Sequence, residues 1–251
     1  MERPLYALLR LPLIAGTAWA ITITMTPPNA APLPEHRVER LATERYLLPG
    51  FTSWVPTLGK VRVAIHRSSL NIFWIFFLCE SSAIIGAQFR TFQGCLPFVT
   101  PVSLAASTMA LAGGLIRRSC YLHLSKLFTF DLAILPDHRL VTSGPYAVVR
   151  HPSYSGALLS AAGAVIMFLG SRGSWLIECS GLISDNVKLW FGPGLNSLST
   201  FAAIFGSVTS LGLVFMLPRA QKEDEMMKRQ FGKEWEDWSR LVRWRLVPGV
   251  Y

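Results

Sequence analysis

Residues 150–171 read RHPSYSGALLSAAGAVIMFLGS. Arg150 and His151 are followed at once by Pro152 and then by an uncharged run from Tyr154 to Ser171. Proline has no amide proton and a fixed φ, so Pro152 fits the first turn of a helix and sets Arg150 and His151 at its mouth. The run behind it approaches the roughly 20 apolar residues that cross a bilayer core. Comparable uncharged runs extend from Leu11 to Pro34, Thr91 to Ile116 and Leu189 to Pro218, and only Glu80 interrupts Leu70 to Phe89. Five spans are therefore expected near residues 11–26, 70–89, 98–116, 154–171 and 199–217. The whole chain of 251 residues is 51% hydrophobic and 16% charged, against about 25% charged in a soluble domain. A disordered, coiled-coil or ordinary soluble globular chain is excluded, and the expected fold class is an all-α, polytopic integral membrane protein.

The formal net charge of +9 raises the question of an acidic partner, and the distribution of charge answers it. With five spans, 19 of the 24 Lys and Arg fall on one side of the membrane, and only Arg3, Arg10, Arg90, Arg172 and Lys188 fall opposite. Positive charge accumulates on cytosolic loops, so the segment between the third and fourth spans and the tail are expected in the cytosol. The basic balance reads as a topology signal, and no nucleic-acid partner is implied.

Residues 1–31 read as a membrane anchor, although Arg3 and Arg10 ahead of an apolar run that ends near Asn29, Ala30 and Ala31 also have the make-up of a signal peptide. Val38 to Leu48 is expected as a short interfacial helix between prolines. Residues 172–194 are expected as a loop on the far side, with a short helix at Trp175 to Ile183. Cys79, Cys95, Cys120 and Cys179 lie singly in or beside apolar segments, and are expected to be small buried hydrophobes with neither a disulfide nor a metal role.

The scarce polar residues gather in two clusters on the basic side. The first runs from Asp137 through His138, Arg139, Leu140, Val141, Thr142, Ser143, Gly144, Pro145 and Tyr146 to the Arg150–Gly156 segment. Ser143-Gly144-Pro145 has turn chemistry. The free N–H groups and positive dipole end of the helix beginning at Pro152 suit an anion, such as the carboxylate of an amino-acid-like cofactor. In the second cluster, Arg219 and Glu223 are four residues apart and share a helical face. Beyond them Met227, Phe231, Trp235, Trp238 and Val242 recur at helical spacing, as an amphipathic C-terminal helix lying on the membrane surface or on the first cluster would require.

The ordered set His-x-Leu-Val-Thr-Ser-Gly-Pro-Tyr, Arg-His-Pro-Ser-Tyr-x-Gly, Arg-x-x-x-Glu-Asp and Phe-Gly-x-x-Trp resembles the isoprenylcysteine carboxyl methyltransferase family. The His-Pro-x-Tyr-x-Gly piece alone is shared with phospholipid methyltransferases and sterol reductases. The resemblance divides the chain into residues 1–116, membrane helices without a motif, and residues 117–251, a methyltransferase core with a cofactor loop at 131–156 and a catalytic tail at 219–251. It implies S-adenosylmethionine as cofactor, held by His138, Arg139, Leu140, Val141, Tyr146, His151, Pro152, Ser153, Tyr154 and Glu223. It implies Arg219 facing the substrate carboxylate, Arg117 assisting it, and Arg219 and Glu223 as the catalytic pair. Asp224 replaces the second glutamate of the family's usual pair, Arg243 stands where proline is common, and 172–194 is longer than usual.

The implied reaction is methyl transfer to the C-terminal carboxylate of a prenylated cysteine, in the endoplasmic reticulum membrane with the site facing the cytosol and no metal. Such a carboxylate, of ordinary pKa near ~3.5, is already ionised and needs no general base. Lipid methylation, a sterol-reductase-like oxidation–reduction and a non-enzymatic membrane adaptor are the competing readings. Arg219 with Glu223 could equally be a surface ion pair, and Tyr146, Tyr154 and the tail tryptophans interfacial anchors.

Overall fold

A computed structural model describes residues 5–37, 58–89, 96–188 and 195–250. The expected helix at Val38 to Leu48 lies outside these residues. Among them there are helices and turns and no strand, only an isolated bridge between Arg37 and Ala133. In chain order the helices are α1 (Arg10–Met25), α2 (Leu58–Gly86), α3 (Pro101–Leu124), α4 (Pro152–Val165), the short α5 (Trp175–Glu178) and α6 (Asp185–Lys188), α7 (Leu195–Phe231) and α8 (Lys233–Leu241).

Among the described residues, three helical stretches are long and apolar enough to cross a membrane: Leu5–Met25, Pro152–Glu178 and Leu198–Phe231. The other two expected spans fall on α2, of which Leu70–Gly86 forms a shorter apolar helix, and on the 24-residue α3, whose end carries Arg117 and Arg118. Helix α7 has 37 residues, about 55 Å at 1.5 Å per residue. That exceeds the ~30 Å hydrocarbon thickness, so the charged part beyond Pro218 projects from the bilayer.

Helix α3 starts as its sequence dictates: the Thr100 hydroxyl accepts a hydrogen bond from the Ser103 N–H, the Ser103 hydroxyl accepts one from the Thr100 N–H, and Pro101 takes the first helical position. This reciprocal cap satisfies donors that have no partner inside the helix. Helices α1, α3 and α4 pack together, with α2 against α1 and α7 against α4. The α3–α4 approach is close because it is lined by glycine: a Cβ on Gly156 would lie 2.8 Å from the Gly113 carbonyl oxygen. Ala7, Ile14, Ile84, Ala106, Ile166, Met167 and Phe168 form a core at one end of the bundle. Cys120, Phe128 and Tyr146 form another at the opposite end.

Three expectations are corrected. Cys179 is disulfide-bonded, whereas Cys79 and Cys120 are free; four cysteines scattered through apolar sequence carry no pairing signal, and only folding reveals a neighbour. The short helix after Arg172 ends at Glu178 instead of Ile183, because Ser180 turns its hydroxyl back to the Leu176 carbonyl and Gly181 adopts φ +70°. The tail is two helices, broken at Gly232, where φ is +52°; side chains seldom tolerate that conformation and glycine does.

Candidate active site

The site is assembled where α4 begins. Pro152 opens the helix, and the two residues before it are fastened to the tail: the Arg150 N–H donates to the Trp244 carbonyl at 2.9 Å and the His151 N–H to that of Arg245 at 2.8 Å. The loop ahead of it turns through Gly144–Ala147. Gly144 has φ +62°, and a Cβ there would lie 2.1 Å from the His123 ring nitrogen. Only glycine allows this turn to lie against α3. Tyr146 is thereby buried beside Cys120 and Phe128, where desolvation pushes its phenol pKa well up.

Tyr154 joins the two sequence clusters. Its hydroxyl accepts from Arg219 Nε at 2.8 Å and donates to Glu223 Oε2 at 2.8 Å. Arg219 also donates to the Phe130 carbonyl, so its guanidinium is held on two sides. One turn apart on α7, Arg219 and Glu223 present opposite charges along one wall.

His151 lies between two carboxylates, with Nε2 2.9 Å from Asp224 Oδ1 and Nδ1 3.5 Å from Glu223 Oε2. Burial disfavours its charged form, but the hydrogen bonds to Asp224 and Glu223, and the charges of both, outweigh burial and lift the pKa to about 9. At neutral pH the ring is therefore an imidazolium. Asp224 is shared further with Arg150 at 3.2 Å and Arg245 at 3.0 Å, so the aspartate that departs from the family pattern ties loop, α7 and tail together. His138 is half-buried, 5.9 Å from the Phe231 ring, and desolvation lowers its pKa, opposed by the Glu223 charge.

Arg117 is buried and committed. Nε donates to the Thr24 carbonyl at 3.0 Å, and Nη1 to the Ser153 carbonyl at 3.0 Å and hydroxyl at 2.7 Å. Its guanidinium also lies 4.9 Å from the Phe130 ring centroid. These contacts make it a brace between α1, α3 and α4.

The elements enclose a cavity of about 440 Å³, within the range of small-molecule and cofactor sites. Its lining includes Arg117, His138, Arg139, Leu140, Val141, Tyr146, His151, Ser153, Tyr154, Arg219 and Glu223. Of the residues expected to hold the cofactor or the acceptor, Pro152 alone is not among them; it sits buried at the helix start. Sequence reasoning gave no site role to Asp224, Trp235, Trp238 or Phe130, all at the cavity wall. Asp224 could have been found from its place beside Glu223, and the tryptophans from their recurrence on one helical face. The apolar side of the wall includes Leu124, Leu127, Ala157, Phe215 and Met216. Fixed cations beside an apolar surface suit an amphiphilic anion. Among the described residues, no group of three or more His, Cys, Asp or Glu is placed to hold a metal.

Residues 106–182 match the model of the isoprenylcysteine carboxyl methyltransferase (ICMT) family. This segment is of the isoprenylcysteine carboxyl methyltransferase family. The chain is 37% identical over 62 residues to protein-S-isoprenylcysteine O-methyltransferase B of Arabidopsis thaliana, covering 24% of this chain and 32% of that one. It is 27% identical over 143 residues to a probable protein-S-isoprenylcysteine O-methyltransferase of Oryza sativa subsp. indica, covering 56% and 59%. It is also 26% identical over 125 residues to a Delta(14)-sterol reductase of Neurospora crassa, covering 45% of this chain and 24% of that one. The chain thus spans about a quarter of the sterol reductases it matches and up to about three-fifths of the ICMT-family relatives. No solved structure matches it.

Proposed function

We propose that this protein is a carboxyl O-methyltransferase that uses S-adenosylmethionine to esterify the C-terminal carboxylate of a prenylated cysteine at a membrane. The observation that carries the reading is the Tyr154 hydroxyl, which couples Arg219 and Glu223 at the wall of a cavity built from the family-like loop. Arg219 orients the acceptor carboxylate by charge-assisted hydrogen bonds. Glu223 holds an amine or hydroxyl of the cofactor, and the loop from His138 to Val141 with Tyr146, His151, Pro152, Ser153 and Tyr154 surrounds it. The cavity volume and its mixture of carboxylate, cationic and apolar walls fit a nucleoside with an amino-acid tail.

When bound, the cofactor would supply an electrophilic methyl group for a carboxylate oxygen, with the S–C bond electrons left on sulfur. No proton moves, so the protein's work is to align the carboxylate with the methyl group at roughly 3 Å and to strip the carboxylate of water. Arg219 serves the first task and the apolar wall the second. The prenyl chain enters along Phe215 and Met216 at lipid level. Arg117 acts by bracing Ser153 and α4.

The orientation we propose puts the cavity in the cytosol, with five spans, in the endoplasmic reticulum membrane. The bias of cations to the cavity side supports this. So does the disulfide at Cys179, which lies beyond the other end of α4; disulfides persist in oxidising compartments. The matches to sterol reductases favour a second reading, reduction with a nicotinamide cofactor.

The test offers purified protein in detergent a labelled methyl donor with a prenylcysteine analogue, phosphatidylethanolamine or a small organic acid, and measures NADPH binding in parallel. Label in a base-labile ester of the prenylcysteine is expected. Donor binding with no ester formed removes the acceptor assignment, and NADPH binding without donor binding turns the reading to the reductase.

A further inference from the structure

From Ser239 to Tyr251 the sequence holds Arg240, Arg243 and Arg245 and neither Asp nor Glu. Arg245 turns inward to Asp224. Arg240, 3.5 Å from Asp237 on α8, still has 76% of its side chain exposed, and Arg243 is exposed as well. The same segment seats itself by burying Val242 and Leu246, yet leaves Leu241, Trp244, Val247 and Val250 exposed, Leu241 to 85% and Val250 to 76%. Large apolar side chains gathered on one short exposed segment mark a surface that another body covers.

Hydrogen bonds fix the level at which this segment lies. The Trp244 and Arg245 carbonyls accept from the Arg150 and His151 N–H groups, and the Leu246 carbonyl accepts from the Ser155 hydroxyl. Ser155 stands in the first turn of α4, where the apolar stretch Pro152–Glu178 begins. The tail is therefore tied to the start of a span, at the border between hydrocarbon and headgroups. Tryptophan is favoured at that border, and a basic segment with apolar side chains lies there with its cations among the headgroups. The occupant at this level is the bilayer itself, and arginines without neighbouring acids in the tail select its anionic lipids.

We infer that residues 240–250 are a docking surface for anionic lipid headgroups in the leaflet on the cavity's side. Arg240 and Arg243 meet the headgroup phosphates and carboxylates, and the exposed apolar side chains enter the acyl layer beneath. The inference does not depend on what the cavity binds.

The experiment places the full-length protein in phosphatidylcholine nanodiscs that carry a minor fraction of acyl-brominated lipid, either phosphatidylserine or phosphatidylcholine. Bromine quenches only nearby indoles, and the fluorescence of Trp244 is read as the difference between wild type and Trp244→Phe. Quenching by both lipids is expected, with half-quenching at about fivefold less brominated phosphatidylserine than phosphatidylcholine, the scale of one arginine at an anionic surface. Arg240→Gln with Arg243→Gln is expected to abolish that preference and to leave quenching by phosphatidylcholine in place. Raising the salt to about 0.5 M does the same by screening. Equal quenching of wild type by the two lipids overturns the inference, as does a preference that survives the double variant and so belongs to other cations. Trp244 quenched by neither lipid overturns it as well and leaves the surface to a protein partner. Where Trp244→Phe fails to fold, hydrogen exchange of residues 240–250 in wild type decides. Several-fold slower exchange in nanodiscs containing phosphatidylserine than in phosphatidylcholine alone is expected, and equal exchange overturns the inference.

Discussion

Two clusters of buried charge occupy opposite ends of this bundle. At one end Arg10 and Glu80, almost without solvent exposure, form an ion pair. Arg10 also donates to the carbonyls of Phe98 at 2.8 Å and Met167 at 3.4 Å, and Glu80 accepts from the Trp175 N–H at 3.1 Å. Every contact is with the chain itself, and neither residue lines the cavity. At the other end His151, Asp224, Glu223, Tyr154 and Arg219 form a connected network of similar chemistry, but Glu223 keeps about a third of its side chain exposed (34%) and all five line the cavity. Burial and ion pairing describe both clusters. What separates them is whether the charges are capped on all sides by protein, which fastens helices together, or leave one side toward a space that a ligand can fill.

The contrast breaks most readily at the closed end. Arg10→Ala or Glu80→Ala strands a charge in the apolar interior, and the expected loss is about 3–5 kcal/mol of stability, the usual cost of breaking a buried pair. Thermal unfolding in detergent reads it. The paired substitution Arg10→Met with Glu80→Leu recovers most of the loss, because neither charge is then stranded. A single variant as stable as wild type would show that this pair fastens nothing.

At the open end the effect falls on activity. Arg219→Lys keeps the charge but loses the planar fork that reaches both Tyr154 and the Phe130 carbonyl. We expect kcat/KM for the prenylcysteine acceptor to drop about 100-fold, the scale of a misplaced reactant, with a melting temperature near that of wild type. A drop in stability without loss of activity would make the two ends alike.

The smallest effect is a pH dependence. The folded-state pKa of His151, about 9, lies above the ordinary value near 6.5. Its contribution to stability is therefore complete below about pH 6.5 and is lost as pH rises through about 9. Melting temperature and donor affinity should both decline across that window, donor affinity by about tenfold, the scale of one strong charged hydrogen bond. Asp224→Asn moves the decline to lower pH, and His151→Asn flattens it. A decline that survives His151→Asn belongs to another group.

The open end was the more legible of the two in sequence. Pro152 after Arg150-His151 announced a helix start, Ser143-Gly144-Pro145 a turn, and the gathering of scarce polar residues on one side of the membrane a site. Local chemistry supports such readings because turn, cap and φ are decided within a few residues. The closed end was not legible, since Arg10 and Glu80 are 70 positions apart and each looks like an isolated charge at a span. Tyr154 as the link between Arg219 and Glu223 was hidden for the same reason: nothing local tells which helix face meets which partner. The periodicity of Phe231, Trp235 and Trp238 suggested one continuous helix, but it could not register the break at Gly232, which turns α8 onto the loop.

The most direct test measures equilibrium binding of labelled S-adenosylmethionine to the purified full-length protein, comparing wild type with Glu223→Ala at the open end and with Arg10→Met/Glu80→Leu at the closed end. Loss of at least tenfold in affinity for Glu223→Ala, with the paired closed-end variant within twofold of wild type, is the predicted result. Wild-type affinity in folded Glu223→Ala, or loss of binding in a folded closed-end variant, contradicts the assignment of the cofactor to this cavity.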